Sequence, residues 1–215
     1  MAAARSSRSA RGRAAANPLA WRTAEPGPLT LLKGPEDYAA RWVTDRLRAR
    51  LLSQHADLEI HRMRAAEYQS GQLAMAASPS LFAEPTLIMV EGLESMNDAF
   101  LHDALDLVSS GPAADDVTLV LRHTGGNRGK KLLDAVAAAG VVIECPALKK
   151  DEDKMAFVQA EFRQARRRID DEAVRAVVAA TGSSLTDLAS ACRQLIDDTE
   201  SAVTRAVSYT HLTLP

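Results

Sequence analysis

The 215-residue chain has few cysteines and no long apolar run. Its two cysteines, Cys145 and Cys192, lie far apart and have no Cys or His at zinc-ligand spacing, so neither a disulfide framework nor a metal site is predicted. No stretch reaches the roughly 18 apolar residues that a membrane-spanning helix needs. At 47% hydrophobic residues, the chain still has enough apolar content for more than one core. We therefore expect a cytoplasmic protein of two compact domains, without metal, cofactor or membrane segment.

Acidic side chains are missing from the first 24 residues. This stretch carries five arginines, which leaves 21 basic and 28 acidic side chains, a net charge of −7, for the other 191 residues. We predict a disordered basic arm over residues 1–28 rather than an organelle transit peptide, because no amphipathic apolar stripe runs through it. The mildly acidic body argues against a DNA-binding module, since nonspecific DNA binding needs a basic surface.

From residue 29 onward, short apolar runs alternate with amphipathic segments. Strands are predicted at residues 29–33, 57–62, 86–90, 117–121 and 141–144, with helices between them. This pattern is typical of an α/β domain over residues 29–146, built as an AAA+-like parallel sheet with crossover helices. After residue 146, the spacing of apolar residues is purely helical. Helices are predicted at 151–168, 171–181 and 184–200, which indicates a small three-helix lid domain over 147–200. Residues 201–215 break the pattern and look non-native or truncated.

The loop after the first strand lacks the residues that bind ATP. A working phosphate loop ends in Gly-Lys followed by Ser or Thr, because the lysine and the hydroxyl meet the terminal phosphate and magnesium. Here the loop reads Gly34-Pro35-Glu36-Asp37, in which Pro35 has no N–H and two carboxylates repel phosphate. The later glycine loop at residues 124–131 has the wrong spacing and lacks the hydroxyl. Nucleotide binding is therefore not expected.

A short apolar segment, Ser80-Leu81-Phe82, lies between a predicted short helix and a buried strand. Large apolar residues are usually buried, so one interpretation places Leu81 and Phe82 in the core. Pro79 and Pro85 bracket the segment, however, and favour a separate protruding loop. An exposed Leu-Phe pair is typical of a hydrophobic contact that enters a pocket on another protein.

Four stretches together resemble the delta subunits of bacterial DNA polymerase III, a clamp-loader family related to AAA+ proteins. They are, in chain order, LLKGPEDY, AMAASPSLFAEPTLIMVE, VTLVLRHTGGNRGKK and TGSSLTDLASACRQL, within residues 29–200. The resemblance implies that Leu81 and Phe82 form the wedge that binds and opens the sliding clamp, with Ser80 and Met75 flanking it. It also implies a subunit that hydrolyses no ATP, in agreement with the degraded phosphate loop.

The resemblance further implies the partners. These are the sliding clamp (beta), the sister subunits gamma/tau and delta prime, and primer-template DNA reached through the complex. The chain would belong to a DNA-directed DNA polymerase holoenzyme without doing bond chemistry itself, and no catalytic residue is predicted because the five histidines have no nucleophile or acid at a recognisable spacing. Family members continue into a helical collar domain that this sequence does not reach, so we expect weak assembly with the sister subunits. The alternatives are a diverged nucleotide-dependent P-loop or AAA+ enzyme and a DNA-binding module.

Overall fold

The computed structural model describes residues 17–78, 84–110 and 116–199. Its strands are β1 (Leu29–Lys33), β2 (Glu59–Arg64), β3 (Thr86–Glu91), β4 (Val117–His123) and β5 (Val141–Glu144). The α-helices are α1 (Asp37–Gln54), α2 (Gln72–Ala76), α3 (Asp98–Ser110), α4 (Lys130–Ala139), α5 (Asp151–Gln164), α6 (Asp171–Thr181) and α7 (Leu185–Asp198). Two 3₁₀ turns lie at Ala20–Arg22 and Leu93–Ser95. Strands and helices alternate up to β5, and only helices follow within the described ranges.

The five strands form one parallel sheet in the order β2-β3-β4-β1-β5. Leu31 of β1 lies opposite Leu121 of β4 on one side and Val142 of β5 on the other. The predicted α/β class, with a parallel sheet and crossover helices, is confirmed. Because all strands run the same way, the loops that follow them gather at one edge, which is where open α/β sheets bind their ligands.

Each face of the sheet carries its own buried cluster, because successive side chains of a strand point to opposite faces. Leu32, Leu87 and Met89 pack in one cluster with α1 and with apolar residues of α5, α6 and α7. Leu31, Ile88 and Val90 pack in a second cluster with α2, α3 and α4. Strand β3 is buried along its first five residues, as expected for a strand that is covered on both faces.

The three helices after β5 pack against one another and confirm the predicted helical lid. Asp170 accepts a hydrogen bond from the backbone N–H of Ala173 at 2.7 Å and caps α6, and Ser184 accepts one from Asp187 at 3.2 Å and caps α7. The predicted boundaries of α6 are confirmed. Helix α5 ends at Gln164 rather than at residue 168, because Arg166 takes a left-handed backbone conformation with φ of 57°.

The N-terminal segment corrects one prediction. Disorder was predicted over residues 1–28, but residues 17–28 are part of the fold, while residues 1–16 lie outside the described residues. Trp21 is fully buried, and its ring lies 6.4 Å from that of Phe157 on α5. Arg22 forms an ion pair with Glu161 of the same helix. The arginine content suggested a solvated arm, but the burial of one tryptophan outweighs it.

Within the described ranges, no helix combines the length and apolar content needed to cross a membrane.

Both cysteines are fully buried, and this leads to a prediction about their reactivity. Burial raises the pKa of Cys145 to about 11 and that of Cys192 to about 12. The thiolate is the form that attacks thiol reagents, so the folded protein at pH 8 should react far more slowly than urea-unfolded protein, whose two thiols titrate at about 8.5. A colorimetric thiol assay with and without urea checks this. Rapid reaction of either thiol in the folded protein would contradict the assigned burial.

The raised pKa values of the two cysteines also make the free energy of unfolding depend on pH. The folded pKa values lie above the unfolded ones, so the stability associated with the thiol form is fully present below the unfolded pKa. It is lost as the pH rises through the folded values of about 11 and about 12. Urea unfolding of the wild type and of Cys192→Ala between pH 8 and pH 11 should show a steeper loss for the wild type.

Candidate functional site: the closed phosphate loop and the α2 surface

The loop between β1 and α1 is held tightly by the ends of two neighbouring strands. The backbone N–H of Gly34 donates to the carbonyl of His123 at 3.0 Å, and that of Glu36 donates to the carbonyl of Cys145 at 3.0 Å. Gly34 has a φ of 129°, and a Cβ at this position would lie 2.3 Å from the Cys145 carbonyl oxygen. Only glycine fits here, so the loop passes close against β5 in one conformation.

Side chains of this chain occupy the start of α1, where a phosphate loop would present its N–H groups. The carboxylate of Glu36 accepts a hydrogen bond from the backbone N–H of Tyr38 at 3.2 Å. Burial raises the pKa of Glu36, and this N–H group offsets part of the increase. Arg122, at the end of β4, donates to the Gly34 carbonyl and to the Asp37 carboxylate, the latter at 3.0 Å. The two carboxylates thus accept from the Tyr38 N–H and the Arg122 guanidinium, which are donors that a nucleotide phosphate would need.

A cleft of about 1080 Å³ opens beside this loop, between α1 and the carboxyl ends of β2 and β3. Its charges are mixed: four arginines (Arg41, Arg62, Arg64 and Arg122) and five acids (Asp37, Asp45, Glu67, Glu91 and Glu94) line it. Some of them pair with one another, as Arg64 does with Glu67 at 3.2 Å. Because positive and negative side chains are nearly equal in number, the lining of this cleft offers no concentrated positive charge for a triphosphate.

In the glycine loop before α4, the side chains of Arg128 and Lys130 bind groups of the protein itself. Arg128 donates to the carbonyl of Met96 at 2.8 Å and pairs with Asp98 at 3.0 Å. Lys130 pairs with Asp134 one turn further along α4. Across residues 17–78, 84–110 and 116–199, no group of three His, Cys, Asp or Glu side chains could hold a metal ion.

Helix α2 leads into the predicted wedge. Leu73, Ala76 and Ala77 are buried in the cluster below it, whereas Met75 is 74% exposed. The predicted contact residues Ser80, Leu81 and Phe82 lie outside the described residues, between Ser78 and Glu84. The structure therefore places one of the four predicted site residues, on the outer side of a helix whose inner side is anchored.

A cluster of hydrogen bonds holds the start of α2. Asp103 of α3 accepts from the backbone N–H of Gly71 at 2.7 Å and from the Tyr68 hydroxyl at 2.8 Å. The Tyr68 oxygen in turn accepts from the backbone N–H of Leu73 at 2.9 Å. The Ser70 hydroxyl also donates to Asp103, at 3.3 Å. The helix begins at Gln72, after Gly71 with a φ of 89°.

Sequence reasoning missed Asp103, Tyr68 and Arg122. Asp103 and Arg122 each leave a weak signal that could have identified them. Asp103 lies three residues after the buried Phe100 on α3 and is therefore close to its apolar face, and Arg122 directly follows the apolar run of β4. Charges in such positions need partners, because a charge near a core is costly without them.

The comparisons with known proteins return structural similarity only: no family model and no curated protein matches the chain. A DNA clamp loader delta protein from Bacillus subtilis is similar with a TM-score of 0.68 and 17% identity, covering 90% of this chain and 60% of that one. Two RuvB variants from Thermotoga maritima are similar with TM-scores of 0.52 and identities of 13% and 14%, covering 90% of this chain and 64% of theirs. The chain thus spans less than two thirds of the length of these proteins. The similarity is one of fold, which in this chain is a parallel α/β sheet followed by three helices.

Proposed function

We propose that this protein is the clamp-opening (delta) subunit of a bacterial clamp loader. In this role, Leu81 and Phe82 enter an apolar pocket on the sliding clamp and stabilise an opened ring interface, with Ser80 and Met75 at the margin of the contact. ATP-binding sister subunits of the gamma/tau and delta prime type would control access to this wedge. Primer-template DNA would be reached through the assembled complex.

The observation that carries this proposal is the arrangement around α2. An apolar Leu-Phe pair follows a helix whose inner residues Leu73 and Ala77 are buried, and whose Met75 is 74% exposed. A helix that is anchored to the fold and followed in the chain by an apolar segment favours binding, because less freedom is lost when the complex forms. Exposed large apolar side chains cluster at protein interfaces.

The closed phosphate loop supports the same role. A clamp-opening subunit needs binding energy rather than hydrolysis, since a protein that binds the open ring better than the closed ring shifts the ring towards opening. Here Arg122, Asp37 and Glu36 satisfy one another and nearby backbone groups at the start of α1. The clamp-loader similarity in fold is consistent with this role, and the RuvB similarity makes a nucleotide-dependent AAA+ protein the relevant alternative.

The clamp itself tests the proposal. The purified protein should bind immobilised sliding clamp of the same organism and elute with it in size-exclusion chromatography. An excess of free clamp in solution should reduce the surface-plasmon-resonance signal, because it competes with the immobilised clamp for the protein. Absence of binding at micromolar concentrations of both proteins would refute the proposed function.

Binding of ATP distinguishes the proposed function from a nucleotide-dependent AAA+ enzyme. We expect no heat of binding and no change in melting temperature when ATP and magnesium are added to millimolar concentration, because the loop lacks the lysine and hydroxyl that hold the phosphates. Isothermal titration calorimetry checks this, with an active AAA+ ATPase as the positive control. A dissociation constant in the micromolar range would favour the enzyme instead.

A further inference from the structure

Helix α2 has only five residues, from Gln72 to Ala76, and its N-cap residue is Gly71, which has no side chain to cap it. Isolated helices shorter than about 12 residues are marginal in water, because nucleation fixes several residues for a single hydrogen bond. The first N–H groups of a helix also have no partner within the helix itself. Contacts with the rest of the protein must therefore hold α2 in place.

Asp103 supplies the central contact. One carboxylate oxygen, Oδ2, accepts from the Gly71 N–H at 2.7 Å, the Tyr68 hydroxyl at 2.8 Å and the Ser70 hydroxyl at 3.3 Å. The Tyr68 oxygen accepts from the Leu73 N–H at 2.9 Å, so the carboxylate reaches the first turn of α2 both directly and through the phenol. Hydrogen bonds to a charged acceptor are stronger than neutral ones.

The groups around Asp103 keep it in place and charged. Tyr68 is 4% exposed, and its ring lies edge-to-face on Phe100 of α3 with 5.3 Å between centroids. The Asn97 side chain donates to the Tyr68 carbonyl at 2.8 Å. The Gly71 N–H first, and then the Tyr68 hydroxyl, lower the pKa of Asp103, so its carboxylate is ionised at neutral pH. His102 is the nearby titratable group on the solvent side, with its Nδ1 3.6 Å from the other Asp103 oxygen, Oδ1.

We infer that Asp103 is a positioning residue for clamp binding: it fixes the start of α2 and thereby the placement of the helix that carries the exposed Met75. This inference rests on the proposed function. Asp103 lies on α3 and acts on the proposed contact only through α2, so the inference requires no contact between Asp103 and the clamp. Loss of the carboxylate leaves α2 in the correct geometry for a smaller fraction of the time, and the apparent affinity for the clamp falls by that fraction.

The test compares Asp103→Asn with Asp106→Asn, a matched control on the same helix whose side chain is 73% exposed. Asp103→Asn should weaken clamp binding about tenfold, as expected if α2 is correctly placed about a tenth of the time, and the loss should lie in the association rate. Asp106→Asn should leave affinity unchanged. Tyr68→Phe keeps the buried ring and removes only the hydroxyl, so it should weaken binding in the same direction while the protein stays folded.

Amide hydrogen exchange provides a readout that does not depend on the clamp. In Asp103→Asn, the amides of residues 71–77 should exchange faster, while those of β3 and β4 keep their protection. Unchanged exchange in this segment, or faster exchange with unchanged clamp affinity, would overturn the positioning role. Failure of the unmodified protein to bind the clamp would instead refute the proposed function, which separates the two failures.

Discussion

Replacing Leu81 and Phe82 together by alanine should weaken clamp binding by about 3 to 6 kcal/mol. Burying one large apolar side chain contributes about 1.5 to 3 kcal/mol, and the two contributions add if the side chains act independently. The loss corresponds to an affinity change on the order of a hundredfold to ten-thousandfold. Surface plasmon resonance against the clamp measures it, and the melting temperature should hardly change.

The alternative interpretation, in which Leu81 and Phe82 pack in the core, predicts the reverse. Truncating two buried side chains would leave a cavity and cost several kcal/mol of stability without touching an interface. Leu52→Ala is a matched control, because Leu52 is 39% exposed on α1, a helix that packs on the opposite face of the sheet from α2. A large drop in melting temperature with unchanged affinity per folded molecule would defeat the wedge assignment.

Trp21→Ala should lower the free energy of unfolding by about 3 to 5 kcal/mol, the usual cost of truncating a large buried aromatic residue. The Trp21 ring is fully buried between α1 and α5, with centroid distances of 5.3 Å to Trp42, 6.1 Å to Tyr38 and 6.4 Å to Phe157. The side chain thus joins the sheet domain to the helical lid. Urea unfolding followed by circular dichroism measures the loss.

Two further variants test whether the loss of stability comes from the buried ring of Trp21. Trp21→Phe should cost less than Trp21→Ala, because a ring remains and the buried indole N–H has no hydrogen-bond partner to lose among the described residues. Ala20→Ser, at an exposed neighbour, should be nearly neutral. Clamp affinity per folded molecule should stay the same, since Trp21 and α2 lie in clusters on opposite faces of the sheet. A loss below about 1 kcal/mol for Trp21→Ala would mean that the N-terminal segment is dispensable.

Local sequence patterns predicted most of the elements. Strand β5 was predicted with its observed ends, and the apolar runs of β3 and β4 were located correctly because strands buried on both faces read as continuous apolar runs. Strand β2 was placed two residues too early, since an edge strand is half exposed and its alternation is weak. The end of α5 was placed four residues too late, because arginine is a good helix former and nothing local indicates the left-handed Arg166.

The features of the candidate site also divide into those that the sequence alone shows and those that need the structure. The missing Lys and Ser or Thr of the phosphate loop and the apolar Ser80-Leu81-Phe82 segment are local features, and the sequence alone revealed them. Met75 was named through the family resemblance, but its exposure depends on which side of α2 is anchored.

By itself, the sequence determined the α/β class, the helical lid and the absence of a nucleotide-binding motif, because these depend on the period of apolar residues and on contiguous residue types. Only the tertiary structure decided that Trp21 is buried. It also decided two hydrogen bonds: one from Arg122 to Asp37, which are 85 residues apart in the sequence, and one from Tyr68 to Asp103, which are 35 residues apart. Such partners are distant along the chain and meet only when the sheet is assembled and its helices have packed, so no local pattern specifies them.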